Sequence, residues 1–519
     1  MKAQRESNRP SSSTQTLMHM LAYAAERNPD GEALVIIGGV RLSYSDLMAS
    51  VLEFSALLRR RGSHRDRVAV ALPNSADAVI AILGAMDSGA QVVLLNPFYP
   101  ARELEPILRD ADPLLLVCSR ALNEQLSGAE AGSVRCSPVI INEPFVSLVR
   151  RSRFADFAAL SMPASDDLAI LQYTGGTTGG AKGVNLTHHT TAFNVTQRET
   201  LLPTRFAQER FLCMTPLFHA YATATSFFPS IYSGSALVVM PRYDAEIALD
   251  AVAAERITLF CGAPTIYNGL IAHPRFCEKD YASLVGAYSG AAPLSMATLT
   301  EWERVTRIPI AEGYGLTEAT AILCFNPMHG RRKPGSVGLP LPGTEIEIVD
   351  PEVGNTVLGT SCIGEIRARG PQLMAGYRGR TRETAEIIRG GWLYTGDIGE
   401  LDADGYLFVR DRKKDMAIVS GYNVFPRELD EVLAAHPDVV EAVAAAVPDT
   451  YKGEVMHACV KVRAGSDRSA ADLIAYCSTN LARYKVPAQI HLVEEICKTA
   501  AGKIDRKRTR EWLITKMSG

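Results

Sequence analysis

The sequence predicts an α/β protein: a large N-terminal domain of α/β sheets with a small β subdomain, followed by a small mobile α+β C-terminal domain. Three observations lead there. From Ser45 onward helical patterns alternate with short apolar strands, the mark of parallel sheets covered by helices. After about Pro334 the rhythm changes to alternating strands separated by Gly and Pro turns. A densely charged segment near Arg410 then precedes a last unit of about 100 residues, enough for a domain of its own. At 519 residues the chain is too long for one ordinary core.

Taken in order, residues 67–73, 91–96 and 114–119 read as buried strands, with helices over 76–88 and 101–110 between them. The alternation continues through strands 168–173, 236–240 and 257–261, and the later strands are 344–349 and 364–369. Every residue from Arg410 to Asp415 is charged, as expected of a solvated turn. Beyond it come a helix over 426–436 with Pro426 in its first turn, strands 439–447 and 455–462, and a helix over 470–481. Composition alone leaves the charged segment either an exposed loop within one domain or a hinge between two; as a hinge at 412–416 it sets a tail at 1–13, a large domain at 14–411 and a small domain at 417–519.

Composition narrows the function. The chain is 47% hydrophobic and 21% charged with net charge −3, so no long-range field favours nucleic acid or an anionic membrane. The ten cysteines are scattered without a C-x-x-C pair, which fits buried, reduced thiols. The ten histidines show no zinc spacing. The polar N-terminus is not a signal peptide, no apolar run is long enough to span a bilayer, and Lys516-Met517-Ser518-Gly519 carries no lipidation or peroxisomal signal. Cytoplasm is the expected location; the oligomeric state is left open.

Residues 169–184 run from an apolar strand into a loop with five glycines, three threonines and one lysine. Glycine lets backbone N–H groups converge on an anion, threonine hydroxyls add donors and lysine neutralises charge. The candidate phosphate ligands are Thr174, Gly175, Gly176, Thr177, Thr178, Gly179 and Lys182, and Thr187 can cap a following helix. A Walker loop needs G-K-[ST], whereas Lys182 stands between Ala181 and Gly183.

This loop resembles that of the adenylate-forming superfamily (acyl-CoA synthetases, luciferases and peptide-synthetase adenylation domains), and is most similar to bacterial fatty acyl-CoA synthetases. The resemblance recurs in order over roughly residues 17–510. Pro216-Leu217-Phe218-His219-Ala220-Tyr221 looks like the gate and acyl-pocket segment, which puts His219 at the acyl channel. Ser289-Gly290-Ala291-Ala292-Pro293 looks like the loop lying along adenine. In Glu312-Gly313-Tyr314-Gly315-Leu316-Thr317-Glu318, the resemblance implies that Tyr314 packs on adenine, Thr317 contacts the α-phosphate and Glu318 helps hold Mg²⁺. It likewise assigns Asp397 and Arg412 to the ribose hydroxyls, Lys414 to a pivot between domains and Gly421 to a pantetheine tunnel. Lys503, in Lys498-Thr499-Ala500-Ala501-Gly502-Lys503, is assigned to adenylation.

These assignments imply a two-step reaction with ATP, Mg²⁺ and coenzyme A, in which a carboxylic acid becomes an acyl-adenylate and then a thioester. Catalysis rests on Lys503, Glu318, Thr174, Lys182 and His219. The pocket stretches 219–233, 259–270, 289–294 and 313–321 contain no Lys or Arg, and no Asp adjoins Phe218-His219. The expected acid is thus apolar and without an amino group. A fatty acid leads, with an aryl or polycyclic acid as the alternative. Rival readings are an acyl-AMP ligase that loads a carrier protein, a luciferase-like oxygenase and a nucleotide sensor with decayed catalysis.

Overall fold

The computed structural model describes residues 16–128, 136–141, 160–174, 181–419, 422–449, 453–463, 465–498 and 504–517; the expected tail at 1–13 lies outside them. Among the described residues the strands form four sheets. The first has the order Gly376–Tyr377, Lys182–Thr187, Leu168–Thr174, Gln91–Leu94, Arg67–Ala71, Leu115–Ser119, Ser137–Ile141. It is parallel except at the edge, where Lys182–Thr187 pairs antiparallel with Leu168–Thr174 and with Gly376–Tyr377. The second, nine-stranded, has at its centre Ile310–Tyr314, Gly286–Ser289, Leu259–Gly262, Arg210–Cys213 and Ala236–Val239, all parallel.

Strand periodicity makes these sheets the second and fourth layers of a five-layer stack, with helices between and outside them. In Arg67–Ala71, Val68 and Val70 face a core shared with the second sheet, while Ala69 and Ala71 face an outer core with Leu104, Ile107 and Leu108 of helix Ala101–Ala111. In Arg210–Cys213, Phe211 and Cys213 join the shared core; Leu212 faces outward to Leu249, Val252 and Trp302. Helices Tyr44–Arg60, Ala76–Asp87 and His188–Arg198 contribute to the shared core. Ala76–Asp87 is buried on every side, which explains why its sequence is apolar all round.

A third sheet (Glu345–Val349, Gly364–Arg369, Trp392–Leu401, Ile388–Arg389, with Leu407–Arg412 added on Trp392–Leu401) is the β subdomain. The fourth is built from Tyr422–Val424, Ala417–Val419, Gly453–Val462, Val439–Asp449 and Gln489–Leu492. Helices Pro426–Ala434 and Ala470–Asn480 pack on one of its faces and Arg506–Met517 on the other. A large N-terminal domain and a small C-terminal one result, as the sequence predicts.

Most expected elements stand within one or two residues of their predicted ends; 257–261 is shifted, to Leu259–Gly262. The differences have physical causes. Helix Leu17–Arg27 and strands Glu32–Ile36 and Arg41–Ser43 precede the predicted start at Ser45, and the two strands complete one edge of the second sheet. The charged segment is not a turn throughout: Leu407–Arg412 is a strand and Asp411 is buried. Its charges are tolerated because they are paired, Asp411 Oδ2 accepting the Arg427 N–H at 2.8 Å. The cysteines are all free, but Cys277 and Cys362 are exposed, not buried. Among the described residues no helix is long and apolar enough to cross a membrane.

Candidate active site

Thr174 and Lys182 face each other across the first sheet's antiparallel pair, which fixes where the two ends of the glycine–threonine loop lie. Gly175, Gly176, Thr177, Thr178 and Gly179 lie outside the described residues, as do Gly421 and Lys503. After the loop, strand Lys182–Thr187 leads to helix His188–Arg198, whose first turn Thr187 caps by accepting the Thr190 N–H at 3.1 Å.

From Lys182 a line of side-chain contacts crosses to the β subdomain. The Lys182 ammonium pairs with Glu383 at 2.6 Å and sits 5.1 Å from the centre of the Tyr377 ring. Tyr377 donates its hydroxyl to Glu318 Oε1 at 2.7 Å. Glu318 lies with Thr317 in a single 3₁₀ turn, just past Tyr314. Tyr314 donates its hydroxyl to Asp397 Oδ2 at 2.5 Å, and Asp397 Oδ1 meets Arg412 Nε at 2.9 Å. Asp397 is 3% exposed, whereas the Arg412 side chain is 54% exposed. Burial pushes the Asp397 carboxyl above the ordinary aspartate range, and Arg412 pulls it back.

The backbone around this line is tightly packed. A Cβ at Gly315 would fall 2.0 Å from the Ala321 carbonyl oxygen, and one at Gly313 2.3 Å from the Phe325 ring. At Gly290 it would meet the Tyr221 ring at 2.8 Å. Thr320 and Ala321 take φ values of 54° and 84°, a strained conformation for residues with a side chain. Thr320 is held there by donating its hydroxyl to Gln372 O at 2.7 Å. Ala291 (φ 68°) and Ala292 follow Gly290 at the end of strand Gly286–Ser289. His219 caps the short turn that begins at Ala220, its Nδ1 accepting the Tyr221 N–H at 3.1 Å. Gln172 donates to Phe218 O at 2.9 Å and so ties this segment to the strand that enters the phosphate loop. Lys414 is exposed, on the turn after Leu407–Arg412.

Sequence reasoning passed over Tyr377 and Glu383, which belong to no recognisable local pattern, and gave no role to Gln172, which stands in the strand entering the loop. It also passed over Arg198, which is wholly buried at the end of helix His188–Arg198. The four predicted pocket stretches do lack Lys and Arg, but Arg198 stands on a fifth element. Its guanidinium lies 5.5 Å from the centre of the Tyr288 ring, beside Ser289-Gly290.

Glu312, next to Gly313, borders a cleft lined also by Asn326, Arg332 and Lys333. Burial pushes its carboxyl up to about 7, against the opposing pull of Arg427 and of the Leu294 N–H that it accepts at 3.1 Å. The folded value lies above the unfolded one, so the folded state holds the extra proton between about 4.5 and 7 and loses stability as pH rises through that window. Glu312→Gln is expected to be more stable than wild type above pH 7, by up to about 3 kcal/mol. The gain should shrink toward zero as pH falls to 4.5. Denaturant midpoints of both proteins across pH check this; parallel pH profiles would rule it out.

One carboxylate on this line, that of Glu318, stands clear of any acidic cluster. Among the described residues no group of three or more His, Cys, Asp or Glu side chains could hold a metal by itself. The donor the site does present, the Glu318 carboxylate, fits Mg²⁺, which is bound through one or two carboxylates together with substrate phosphates.

Two packed α/β sheets, a β subdomain and a small terminal domain, with polar contacts running from Lys182 to Glu318 and from Tyr314 to Arg412, are the frame in which the comparisons with known enzymes fall. The chain belongs to the AMP-binding enzyme family, which it matches over residues 21–378, with the AMP-binding enzyme C-terminal domain matched over residues 428–503. It is 36% identical over 529 residues to the long-chain-fatty-acid–CoA ligase of Bacillus subtilis (strain 168), covering 96% of this chain and 94% of that one. It is 34% identical over 477 residues to the feruloyl-CoA synthase of Amycolatopsis sp, covering 91% and 94%. The crystal structure of ATP-bound MatB from Rhodopseudomonas palustris superposes with a TM-score of 0.88 at 28% identity, covering 96% of this chain and 99% of that chain. The protein is an acid–thiol ligase, an acyl-CoA synthetase of the adenylate-forming type that uses ATP, Mg²⁺ and coenzyme A.

Proposed function

We propose that the chain converts a fatty or otherwise largely apolar carboxylic acid to its coenzyme A thioester. The observation that carries this reading is the contact line Lys182–Tyr377–Glu318 and Tyr314–Asp397–Arg412, which offers cationic and hydroxyl groups at one end and a buried carboxylate at the other. The triphosphate lies at the Thr174–Lys182 end with Gly175, Gly176, Thr177, Thr178 and Gly179 around it. Thr317 meets the α-phosphate, and Asp397 accepts hydrogen bonds from the ribose hydroxyls. Adenine lies between Tyr314 and the main chain of Gly290, Ala291 and Ala292, where Gly313 and Gly315 keep the backbone close-packed.

A carboxylate is a poor electrophile, because attack on it would have to expel oxide. In the first step its oxygen bonds to the α-phosphorus and pyrophosphate leaves. Two anions must meet, so the task of the protein is positioning and charge compensation. Mg²⁺ at Glu318 neutralises phosphate charge when bound, and Lys503 and Lys182 supply the rest. In the second step the thiol sulfur bonds to the acyl carbon and AMP leaves; no protein nucleophile is required. Rotation about Lys414, within a hinge at 412–416, exchanges the face carrying Lys503 for the one carrying Gly421.

The acid is placed beyond His219, where a small cavity between helix His188–Arg198 and the segment 220–228, lined by Ile170, Gln172, Thr191, Asn194, Ala224 and Phe228 among others, would have to widen to admit it. Two sets of relatives bear on the acid, those named for long-chain fatty acids and the feruloyl-CoA synthases, so an aryl acid is the second reading. Pyrophosphate release against a panel of both kinds, followed by mass spectrometry of the thioester with coenzyme A and with a carrier protein offered side by side, tests the proposal. Thioester on coenzyme A is expected. Transfer to the carrier alone, or no pyrophosphate with any acid, would overturn it.

A further inference from the structure

An arginine taken wholly out of water needs an acceptor for each N–H, because an unpaired buried donor loses its hydration without compensation. Arg198 is 0% exposed and lacks that full set. Its Nη1 lies 3.3 Å from Glu199 Oε1, while Nε and Nη2 have no hydrogen-bond partner in the protein. Those two nitrogens form one edge of the guanidinium fork, the edge that grips two oxygens side by side or one oxygen twice. Glu199 is held on its far side: its Oε2 accepts from the Thr204 N–H at 2.8 Å and the Thr204 hydroxyl at 2.7 Å. It is therefore not free to swing across and close the open edge.

Position gives this edge a use. Thr191, Asn194 and Val195 line the small cavity to which the acid was assigned above. Arg198 follows Asn194 by four residues and Val195 by three, so all three share one face of the helix, and Arg198 lies about 6 Å further along it than Asn194. Opposite stands Tyr288, two residues before Gly290. Arg198 thus follows the cavity-lining residues on the same helix face, one turn beyond Asn194, with Nε and Nη2 enclosed and unpaired.

We infer that Arg198 is a specificity residue for the acid: its Nε–Nη2 edge receives an oxygen carried on the part of the acyl group remote from the reacting carboxylate. This rests on the acid-activating function proposed above. The shared chemistry is an oxygen acceptor, whether hydroxyl, carbonyl or second carboxylate. Glu199 already balances the charge of Arg198, so a neutral oxygen completes the fork without adding charge, whereas a second carboxylate leaves one buried negative charge in excess. The hydroxyl or carbonyl form is the better match. A plain alkyl end would leave both donors unpaired.

The experiment uses the full chain and a homologous series of straight-chain and aryl acids in matched sets, ended by methyl, hydroxyl, keto or carboxyl groups. ATP–pyrophosphate exchange and thioester formation are read for each. In wild type, kcat/KM for the best oxygen-ended acid is expected to exceed that of its methyl-ended partner by about 10²-fold or more. Arg198→Lys keeps a cation beside Glu199 but has no fork, and should bring that ratio close to one with KM for ATP unchanged. Arg198→Leu should do the same or invert it; if it does not fold, the lysine variant decides. The comparison of hydroxyl- with carboxyl-ended acids separates the neutral from the anionic acceptor. Methyl-ended acids preferred by wild type, or an unchanged ratio in folded Arg198→Lys, would overturn the assignment of Arg198 alone. Activation of no acid at all would overturn the acid-activating reading and this inference with it.

Discussion

Replacing Lys503 by alanine is expected to slow acyl-adenylate formation by about 10²- to 10³-fold while leaving thioester formation from supplied acyl-AMP within a few-fold of wild type. The split follows from the chemistry of the two steps. Charge builds up as the carboxylate approaches the triphosphate, and a cation placed there stabilises the transition state more than the ground state. In the second step the triphosphate is gone and the leaving group is AMP, so the same cation has little to do. The chain on either side of Lys503 is tied by the bridge between Lys498 and Ile504 and by the pairing of Lys498 with Glu441 at 2.8 Å. The next helix is anchored by Arg506 on Asp430 at 2.7 Å. Single-turnover assays of each half-reaction check the prediction, and equal loss in both would refute separate faces for the two steps.

Glu318→Gln is expected to lower the rate of adenylation by about 10²-fold and to raise the Mg²⁺ concentration needed for half-maximal rate. Glutamine keeps a carbonyl oxygen to accept the Tyr377 hydroxyl, which now lies 2.7 Å from Glu318 Oε1, so the strained turn that ends at Thr320 should persist. What disappears is the negative charge. A hard divalent cation shared between protein and phosphate then rests on phosphate oxygens and water alone. Rates measured across a Mg²⁺ titration, at saturating ATP, give the test. An unaltered Mg²⁺ midpoint would mean that the carboxylate serves only to hold Tyr377.

Local chemistry explains which parts of the molecule could be read in advance. A strand buried on both faces reads as a nearly continuous apolar run, so Ala236–Val239, and Val92–Leu94 after the hydrogen-bonded Gln91, announce themselves. A helix whose first turn is capped by its preceding threonine, as at Thr187, needs only a few neighbouring residues to specify it. Strand Lys182–Thr187 was not legible, because its half-polar run Lys-Gly-Val-Asn-Leu-Thr gains its conformation from pairing on both sides. Leu407–Arg412 was misread for the complementary reason. Its charges look solvated until Asp397 and Arg427, supplied by other elements, are seen to pair with them.

The sequence by itself determined the layered α/β architecture, the order of its motifs and the kind of chemistry they serve, because each depends on residues within a few positions of one another. Only the tertiary structure decided that Tyr377 reaches Glu318 and that Tyr314 reaches Asp397, contacts spanning 59 and 83 residues. It alone showed Arg198 to be sealed within the core with Nε and Nη2 unpaired. The physical reason is that burial and pairing belong to the packing of one sheet on another, and a charge gains its chemical meaning from which partners that packing brings to it or withholds.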